Sequence, residues 1–411
     1  MDKFLDKKKV CAIICEYNPM HTGHTYLIEN AKKITGANYV LGLMSGNFSQ
    51  RSEPCVLDKY SRAKIATLNG MDLIINLPTV FCTNNAEIFA LSSIKILNKL
   101  NVDYLAFGVE TLNEKAFYSL AKFCLKNPKS FKISLKKNLK LGLNYNNAFT
   151  KSLEENINLF EKKLQEDVLN ILKKPNNILA LEYIKSILKT KSKIKPVFIK
   201  RADNYNDKKI VENFVSASFI RENLLNKNLD KFKNFLVKNI DELLVNSNVN
   251  LNKFHDLILY KIKTTKTSQI KKIYAVDEGL ENRIKSLACN TNSFDEFYDK
   301  LKTKRYKENK LNSALLNILL DIDKKTANKI YTIKNNIYVK TLALNCKNSD
   351  ILKNINTKCL ILRKQDERKI NKCSYNKKLF EIENKANSVY NLISNTHLLE
   401  EDIYNKMVTV K

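Results

Sequence analysis

Four histidines occur in the 411-residue chain, and two of them, His21 and His24, stand three residues apart in Glu16-Tyr17-Asn18-Pro19-Met20-His21-Thr22-Gly23-His24. An apolar run at 10–15 precedes this stretch, and a segment with helical spacing, 25–34, follows it. The imidazoles therefore sit on a strand-to-helix turn, where unpaired backbone N–H groups and the helix dipole attract phosphate. Two imidazoles placed there can donate hydrogen bonds to an α-phosphate as negative charge builds in a transition state. Gly23 removes the Cβ that would keep such a ligand away from the backbone. The competing reading, two histidines that merely cap a helix, explains neither Gly23 nor the buried strand in front. A zinc site is disfavoured, because no third ligand lies nearby and no Cys/His cluster occurs elsewhere.

Such a turn must be held by a sheet, and the first quarter of the chain supplies one. Residues 10–15 form a continuous apolar run with β-branched members, the pattern of a buried parallel strand. Further strands are expected at 39–44, ending on Ser45-Gly46-Asn47, at 73–77, closed by Pro78, and at 104–107, before Gly108. Helices are expected at 58–68, stopped near Asn69-Gly70, and at 86–97. This alternation predicts an α/β fold built on a Rossmann-like doubly wound parallel sheet. Ligands of such sheets bind beyond the carboxyl ends of the strands, where the turns at 16–24, 45–47 and 108 would converge. From 111 to 191 the pattern is mainly helical, with one helix opening at Pro175-Asn176-Asn177 and running to 187. A strand at 197–200 leads into Arg201, and 215–225 is helical. Beyond 229 the chain is rich in Lys and Asn, with amphipathic helices and candidate strands at 333–344 and 357–363. A boundary near residue 230 would separate a catalytic region, 1–230, from a basic, mainly helical region, 231–411. No internal repeat is found.

The formal charge of +29 is unevenly spread. Residues 1–110 hold 12 Lys/Arg against 10 Asp/Glu, while 111–411 hold 59 against 32, a net +27. A polyanionic partner such as nucleic acid would use this excess. An AT-rich coding bias is the alternative source, visible in abundant Lys, Asn and Ile and in the absence of Trp. Six of the 8 glycines lie in the first 110 residues, so the backbone-demanding turns concentrate there. No stretch approaches the roughly 18 consecutive apolar residues of a membrane span, and no membrane partner is expected. The segment Met1-Asp2-Lys3-Phe4-Leu5-Asp6-Lys7-Lys8-Lys9 carries acids and runs straight into a strand, unlike a signal peptide. Nine cysteines without a CxxC pair point to a reduced cytoplasm, with neither disulfides nor zinc.

The His-x-Gly-His turn resembles that of the HIGH-type nucleotidyltransferases and class I aminoacyl-tRNA synthetases. One second motif of that superfamily, a Lys-Met-Ser-Lys-Ser loop, has no counterpart, since Lys406-Met407-Val408 is a poor match. The other, an Ile-Ser-Ser-Thr-x-Ile-Arg turn, is approached by Val215-Ser216-Ala217-Ser218-Phe219-Ile220-Arg221. Its hydroxyls and arginine suit a leaving pyrophosphate. Residues 10–225 resemble, more narrowly, the bacterial tRNA(Met) cytidine acetate ligase family. Besides 16–24, the likeness runs through Met44-Ser45-Gly46-Asn47-Phe48-Ser49-Gln50-Arg51, Arg62-Ala63-Lys64-Ile65-Ala66 and Asn69-Gly70-Met71-Asp72-Leu73. It continues in Ala86-Glu87-Ile88-Phe89-Ala90, Phe107-Gly108-Val109-Glu110, Lys174-Pro175-Asn176-Asn177-Ile178-Leu179 and Ile199-Lys200-Arg201. Met20 and Thr22 stand where the family usually has Phe and Asn, Ser52 where it has Gly, and Asn76 where it has Glu.

The resemblance implies an enzyme that forms acetyl-adenylate from ATP and acetate and then acetylates N4 of the wobble cytidine of elongator tRNA(Met). It implies ATP contacts from Ile14, Cys15, Glu16, Tyr17, Asn18, Pro19, Met20, His21, Thr22, Gly23, His24, Thr25, Tyr26 and Leu27. Gly108, Asn176 and Arg201 would complete that set, and His21, His24 and Arg221 would carry catalysis. Mg²⁺ would accompany ATP, held mainly by its phosphates. The residues themselves are compatible with this. Gly108 ends a strand, where a missing side chain would admit a nucleotide. Asn176 hydrogen-bonds ribose or phosphate, or else caps its helix. Arg201 clamps a phosphate, or forms a surface ion pair. Arg51, on a polar loop after a strand, touches acetate, phosphate or tRNA, or is simply solvated. No serine or cysteine nucleophile is required, because a mixed anhydride is already activated; the weakly nucleophilic cytosine amine depends on positioning. Lys-rich helices in 111–411 would grip tRNA phosphates, and reading the wobble base requires splaying it out and stacking it. Two rivals stay open here: a small-molecule adenylyltransferase of cofactor biosynthesis, and an RNA-binding protein that keeps the fold as a scaffold.

Overall fold

Val10–Cys15 forms β1, the middle strand of a parallel array, and it is apolar on both faces because both are covered. Cys11, Ile13 and Cys15 enter a core shared with α1 (Thr22–Thr35) and α2 (Lys59–Leu68). Val10 and Ala12, on the opposite face, enter a larger core with α3 (Ala86–Leu100) and α4 (Pro175–Thr190). That larger core continues into the helices Leu251–Thr264 and Glu308–Leu319 and into α5 (Ser374–Ile393). The computed structural model describes residues 8–201, 217–225, 233–240, 244, 249–303, 306–332, 337–362, 364–366, 368, 370, 373–394, 396–399 and 404–411.

With β2 (Tyr39–Ser45), β3 (Leu73–Leu77), β4 (Tyr104–Val109) and β5 (Lys195–Lys200), the parallel strands are ordered β5-β4-β1-β2-β3. The chain leaves β3 and crosses back to place β4 on the other side of β1. A crevice therefore opens between the carboxyl ends of β1 and β4, as the doubly wound topology requires. Beyond β3 the sheet continues through β6 (Val339–Asn345), which is antiparallel to it. Both β7 (Leu360–Ile361) and β8 (Val408–Val410) pair with β6. Among the described residues no helix is long and apolar enough to cross a membrane.

The strands at 10–15 and 73–77 have their expected bounds, and β2, β4 and β5 are one or two residues longer. Helix α1 starts three residues earlier than its apolar spacing suggests, because His21 caps it. Helix α2 starts at Lys59, with the Asp58 carboxylate accepting from the N–H groups of Tyr60 (2.8 Å) and Ser61 (3.0 Å). Within 357–363 only Leu360–Ile361 is a strand; Asn356 accepts from the Lys358 N–H (3.1 Å) and tightens Thr357–Cys359 into a 3₁₀ turn. The residue-230 boundary, 215–216, 333–336 and Arg363 lie outside the described residues.

The loop after β2 is pinned from two sides. Arg62, on α2 and 1% exposed, donates Nε to the Leu57 carbonyl (3.0 Å) and Nη1 to the Glu16 carbonyl (2.5 Å) and Ser45 Oγ (3.3 Å). Its Nη2 donates to the carbonyls of Ser45 (3.1 Å) and Gly46. From the other side, α5 presents Glu383, Asn387 and Tyr390 at four- and three-residue spacing. Tyr390 donates to the Cys55 carbonyl (2.8 Å), and Asn387 Oδ1 accepts from Asn47 Nδ2 (3.0 Å). Glu383 accepts from Asn76 Nδ2 (2.9 Å) and from the Thr79 N–H, and lies 3.7 Å from the buried Lys59 ammonium. A Glu at position 76 would instead set two carboxylates against each other.

Ser52, in the same loop, has φ +62° and is 3% exposed, and its buried hydroxyl has no partner among the described residues. That left-handed conformation favours glycine. Ser52→Gly should therefore raise stability by about 1 kcal/mol, read from urea unfolding; a loss would contradict the strain assigned here. Glu383→Ala, which strips Lys59 of its buried counter-charge, should lower stability by about 3 kcal/mol in the same measurement.

Candidate active site

His21 and His24 turn out to be caps as well as cleft residues. His21 is the N-cap of α1, its Nδ1 accepting from the Gly23 N–H (3.1 Å), and His24 Nδ1 accepts from the His21 N–H (3.2 Å). This is a capping box made of imidazoles. The rings lie 3.8 Å apart between centroids and are tilted by 35°. Burial, reinforced by the nearby charges of His21 and Arg201, pushes the His24 imidazole well below its ordinary value. His24 is therefore neutral near pH 7. Since its Nδ1 accepts, the ring proton sits on Nε2, which makes His24 a neutral hydrogen-bond donor. The Tyr17 ring meets His24 edge-on at 5.0 Å and 73°. Tyr17 has φ +50° and is 1% exposed, so ring burial holds an aromatic residue where its backbone alone would not stay.

Besides Arg62, several neighbours tie the turn down. Gln50 donates its N–H to Glu16 Oε1 (2.6 Å), and Val56 donates its N–H to Asn18 Oδ1 (2.8 Å). Arg221, on the helix Ala217–Leu225, donates to the Asn18 carbonyl (2.7 Å) and to Ser218 Oγ (3.1 Å). His21 also pairs with Leu236 in an isolated antiparallel bridge. These ties bring Ser49, Gln50, Arg51, Ser218 and Arg221 to the rim of one cleft of about 250 Å³. Val215 and Ser216 lie outside the described residues.

Across the cleft stand Gly108, Asn176 and Arg201. Gly108 borders it for a reason other than the expected one. A Cβ there would meet Arg201 Cγ at 3.0 Å, so the glycine makes room for the arginine stem, not directly for a ligand. Asn176 is not the helix cap either, because that position is Lys174. Its amide nitrogen instead donates to Glu110 Oε1 (2.7 Å). Phe89, Phe107, Leu179 and Tyr183 form an apolar wall between these groups, with Phe107 and Tyr183 rings 5.5 Å apart.

Of the residues singled out from sequence, the cleft gathers Ile14, Cys15, Glu16, Tyr17, Asn18, His21, His24, Leu27, Arg51, Gly108, Asn176, Arg201 and Arg221. Pro19, Met20, Thr22, Gly23, Thr25 and Tyr26 do not border it; Met20 is buried in the α1–α2 core, and Gly23 serves through its N–H. Burial pushes the Cys15 thiol up to about 12, so it is no nucleophile at neutral pH. The wall residues were missed, although Leu179 and Tyr183 follow Asn176 at three and seven positions, the spacing of one helix face. Among the described residues no cluster of three or more His, Cys, Asp or Glu side chains could hold a metal. Among the described residues, Glu16, whose Oε1 is engaged by Gln50, is the one carboxylate lining the cleft.

A family model described as HIGH Nucleotidyl Transferase matches residues 8–403. A tRNA(Met) cytidine acetate ligase from Caldicellulosiruptor saccharolyticus is 36% identical over 390 residues, 93% of this chain and 94% of that protein. One from Clostridium perfringens is 35% identical over 400 residues, 96% and 97% of the two chains. The crystal structure of Thermotoga maritima TmcAL bound with alpha-thio ATP aligns with a TM-score of 0.87 at 27% identity, covering 98% of this chain and 100% of that one. A chain matched over nearly its whole length by such relatives belongs to the tRNA(Met) cytidine acetate ligase family of HIGH nucleotidyl transferases.

Proposed function

We propose that the chain is an ATP-dependent ligase that acetylates N4 of the wobble cytidine of elongator tRNA(Met), with acetyl-adenylate as the intermediate. The observation that carries this reading is the close, tilted imidazole pair on the N-terminus of α1, with His24 held neutral as an Nε2–H donor. A carboxylate oxygen of acetate attacks the α-phosphorus of ATP, and the P–O bond to the β-phosphate breaks to release diphosphate. Negative charge grows on the α-phosphate oxygens as this happens. His21 and His24, each with Nδ1 accepting from a backbone N–H, are assigned to donate to that charge through Nε2–H. A neutral donor suits the step, since it neither titrates near pH 7 nor pairs irreversibly with the phosphate. Arg221 uses two of its donors on Asn18 and Ser218 and offers the rest to the leaving diphosphate.

The cleft-lining members of 14–27, with Gly108, Asn176 and Arg201, are assigned to ATP, and the base to the Phe107–Tyr183 wall. Mg²⁺ would enter with the triphosphate, held mainly by its oxygens, and would supply charge neutralisation there. In the second step the cytosine amine attacks the acetyl carbonyl, AMP leaves, and the amine proton passes to solvent or to the departing phosphate. Region 1–230 is assigned to catalysis. The net +27 of 111–411 is assigned to the tRNA backbone, with 231–411 as the tRNA-binding region. A tRNA substrate implies a cytoplasmic site of action.

Incubation with ATP, radiolabelled acetate and total bacterial tRNA, followed by nucleoside analysis, should place label in N4-acetylcytidine. Diphosphate released with another small acceptor, and no label in tRNA, would point to a small-molecule adenylyltransferase; intact ATP would leave only a scaffold. His24→Ala should slow acetate-dependent ATP–diphosphate exchange by about 100-fold or more while tRNA binding is retained. Loss of tRNA binding in a folded His24→Ala protein would contradict this division of labour.

A further inference from the structure

Glu110 follows β4 directly and meets the first turn of α4. Its Oε2 accepts from the Asn177 N–H (3.0 Å), and its Oε1 accepts from Asn176 Nδ2 (2.7 Å). Asn177 returns the contact, its Oδ1 accepting from the N–H groups of Glu110 (2.8 Å) and Thr111 (3.2 Å). The clamp satisfies the Asn177 N–H, in the first turn of α4, which would otherwise be orphaned. It also decides an orientation. An ionised carboxylate only accepts hydrogen bonds, so the nitrogen of the Asn176 amide must face Glu110. The oxygen, Oδ1, is then the open end of the amide. No donor to it is found among the described residues, and Asn176 borders the cleft.

Asn176, Leu179 and Tyr183 share one face of α4, so this acceptor stands at the rim of the apolar wall completed by Phe107. A flat ring suits the wall, and an acceptor at its edge selects a ring that presents an N–H donor there. We infer that Glu110 is a positioning residue that fixes Asn176 as the acceptor for the exocyclic amine of adenine, making this pair the nucleobase selector. Hypoxanthine and guanine carry an oxygen at that ring position, and two acceptors would then face each other. The inference rests on the nucleotide reading of the cleft but not on acetate or tRNA.

Equilibrium binding of Mg²⁺–ATP and Mg²⁺–inosine triphosphate to the whole protein tests it, with thermal melts to verify that each variant folds. The unaltered protein should bind ATP about tenfold more tightly than inosine triphosphate. Asn176→Ala and Glu110→Gln should each bring the two affinities together, mainly by weakening ATP. Equal losses for both nucleotides in Asn176→Ala would overturn the proposal, because they would mark a ribose or phosphate contact. Selectivity retained in Glu110→Gln but lost in Asn176→Ala would overturn the role of Glu110. An unaltered protein that binds neither nucleotide would refute the nucleotide reading itself.

Discussion

The arrangement of the cleft depends on one buried guanidinium. Parallel strands that end together leave their last carbonyls pointing out of the sheet without partners. Arg62 collects those of Glu16, Ser45 and Gly46, with Leu57 and the Ser45 hydroxyl, and all five of its N–H groups are used. The cation is kept by carbonyl dipoles, which offset the cost of taking it out of water. In doing so it fixes the distance between the turn that carries the histidines and the loop that carries Gln50 and Arg51. Neither segment is a helix or strand there, so this cation supplies the rigidity that a regular element would otherwise give.

Around that anchor the charges are arranged unequally. The cleft rim gathers Arg51, Arg201 and Arg221, yet its central imidazole is held uncharged by burial, with His21 and Arg201 adding to the effect. A triphosphate would meet fixed cations at its ends and neutral donors at the reacting phosphorus. The loop opposite is braced by Glu383, Asn387 and Tyr390 from α5, some three hundred residues away in sequence. Residues with no contact to the cleft thus determine where Gln50 and Arg51 stand.

Much of this was legible from the chain. The β1–α1 turn is, because it packs Asn, Pro, Gly and two His into a few residues whose types are dictated by local backbone and chemistry. The central strands are too, since burial on both faces leaves an uninterrupted apolar run. What resisted reading was long-range. Glu110 clamping Asn176 joins positions 66 apart, and nothing in either segment announces the other. The use of Gly108 is long-range too: the space it leaves is taken by Arg201, at the end of the adjacent strand β5. A strand is expected within 333–344, but nothing local announces that β6 joins the sheet antiparallel to β3, more than 250 residues away. The start of α1 was misplaced because histidine is an uncommon cap, and apolar spacing alone begins only at the second turn.

The brace from α5 bears on the order in which the molecule becomes itself. During synthesis β1 to β5 emerge and can pair while the C-terminal third is still on the ribosome. The loop between β2 and α2 would at that stage have Arg62 but not Tyr390, Asn387 or Glu383. Its acceptor at Cys55 and its donor at Asn47, together with the donors of Asn76 and Thr79 at the end of β3, would face water until α5 docks. The nascent chain therefore holds the parts of a nucleotide cleft well before it holds the cleft. Its last helix sets the moment at which chemistry can begin.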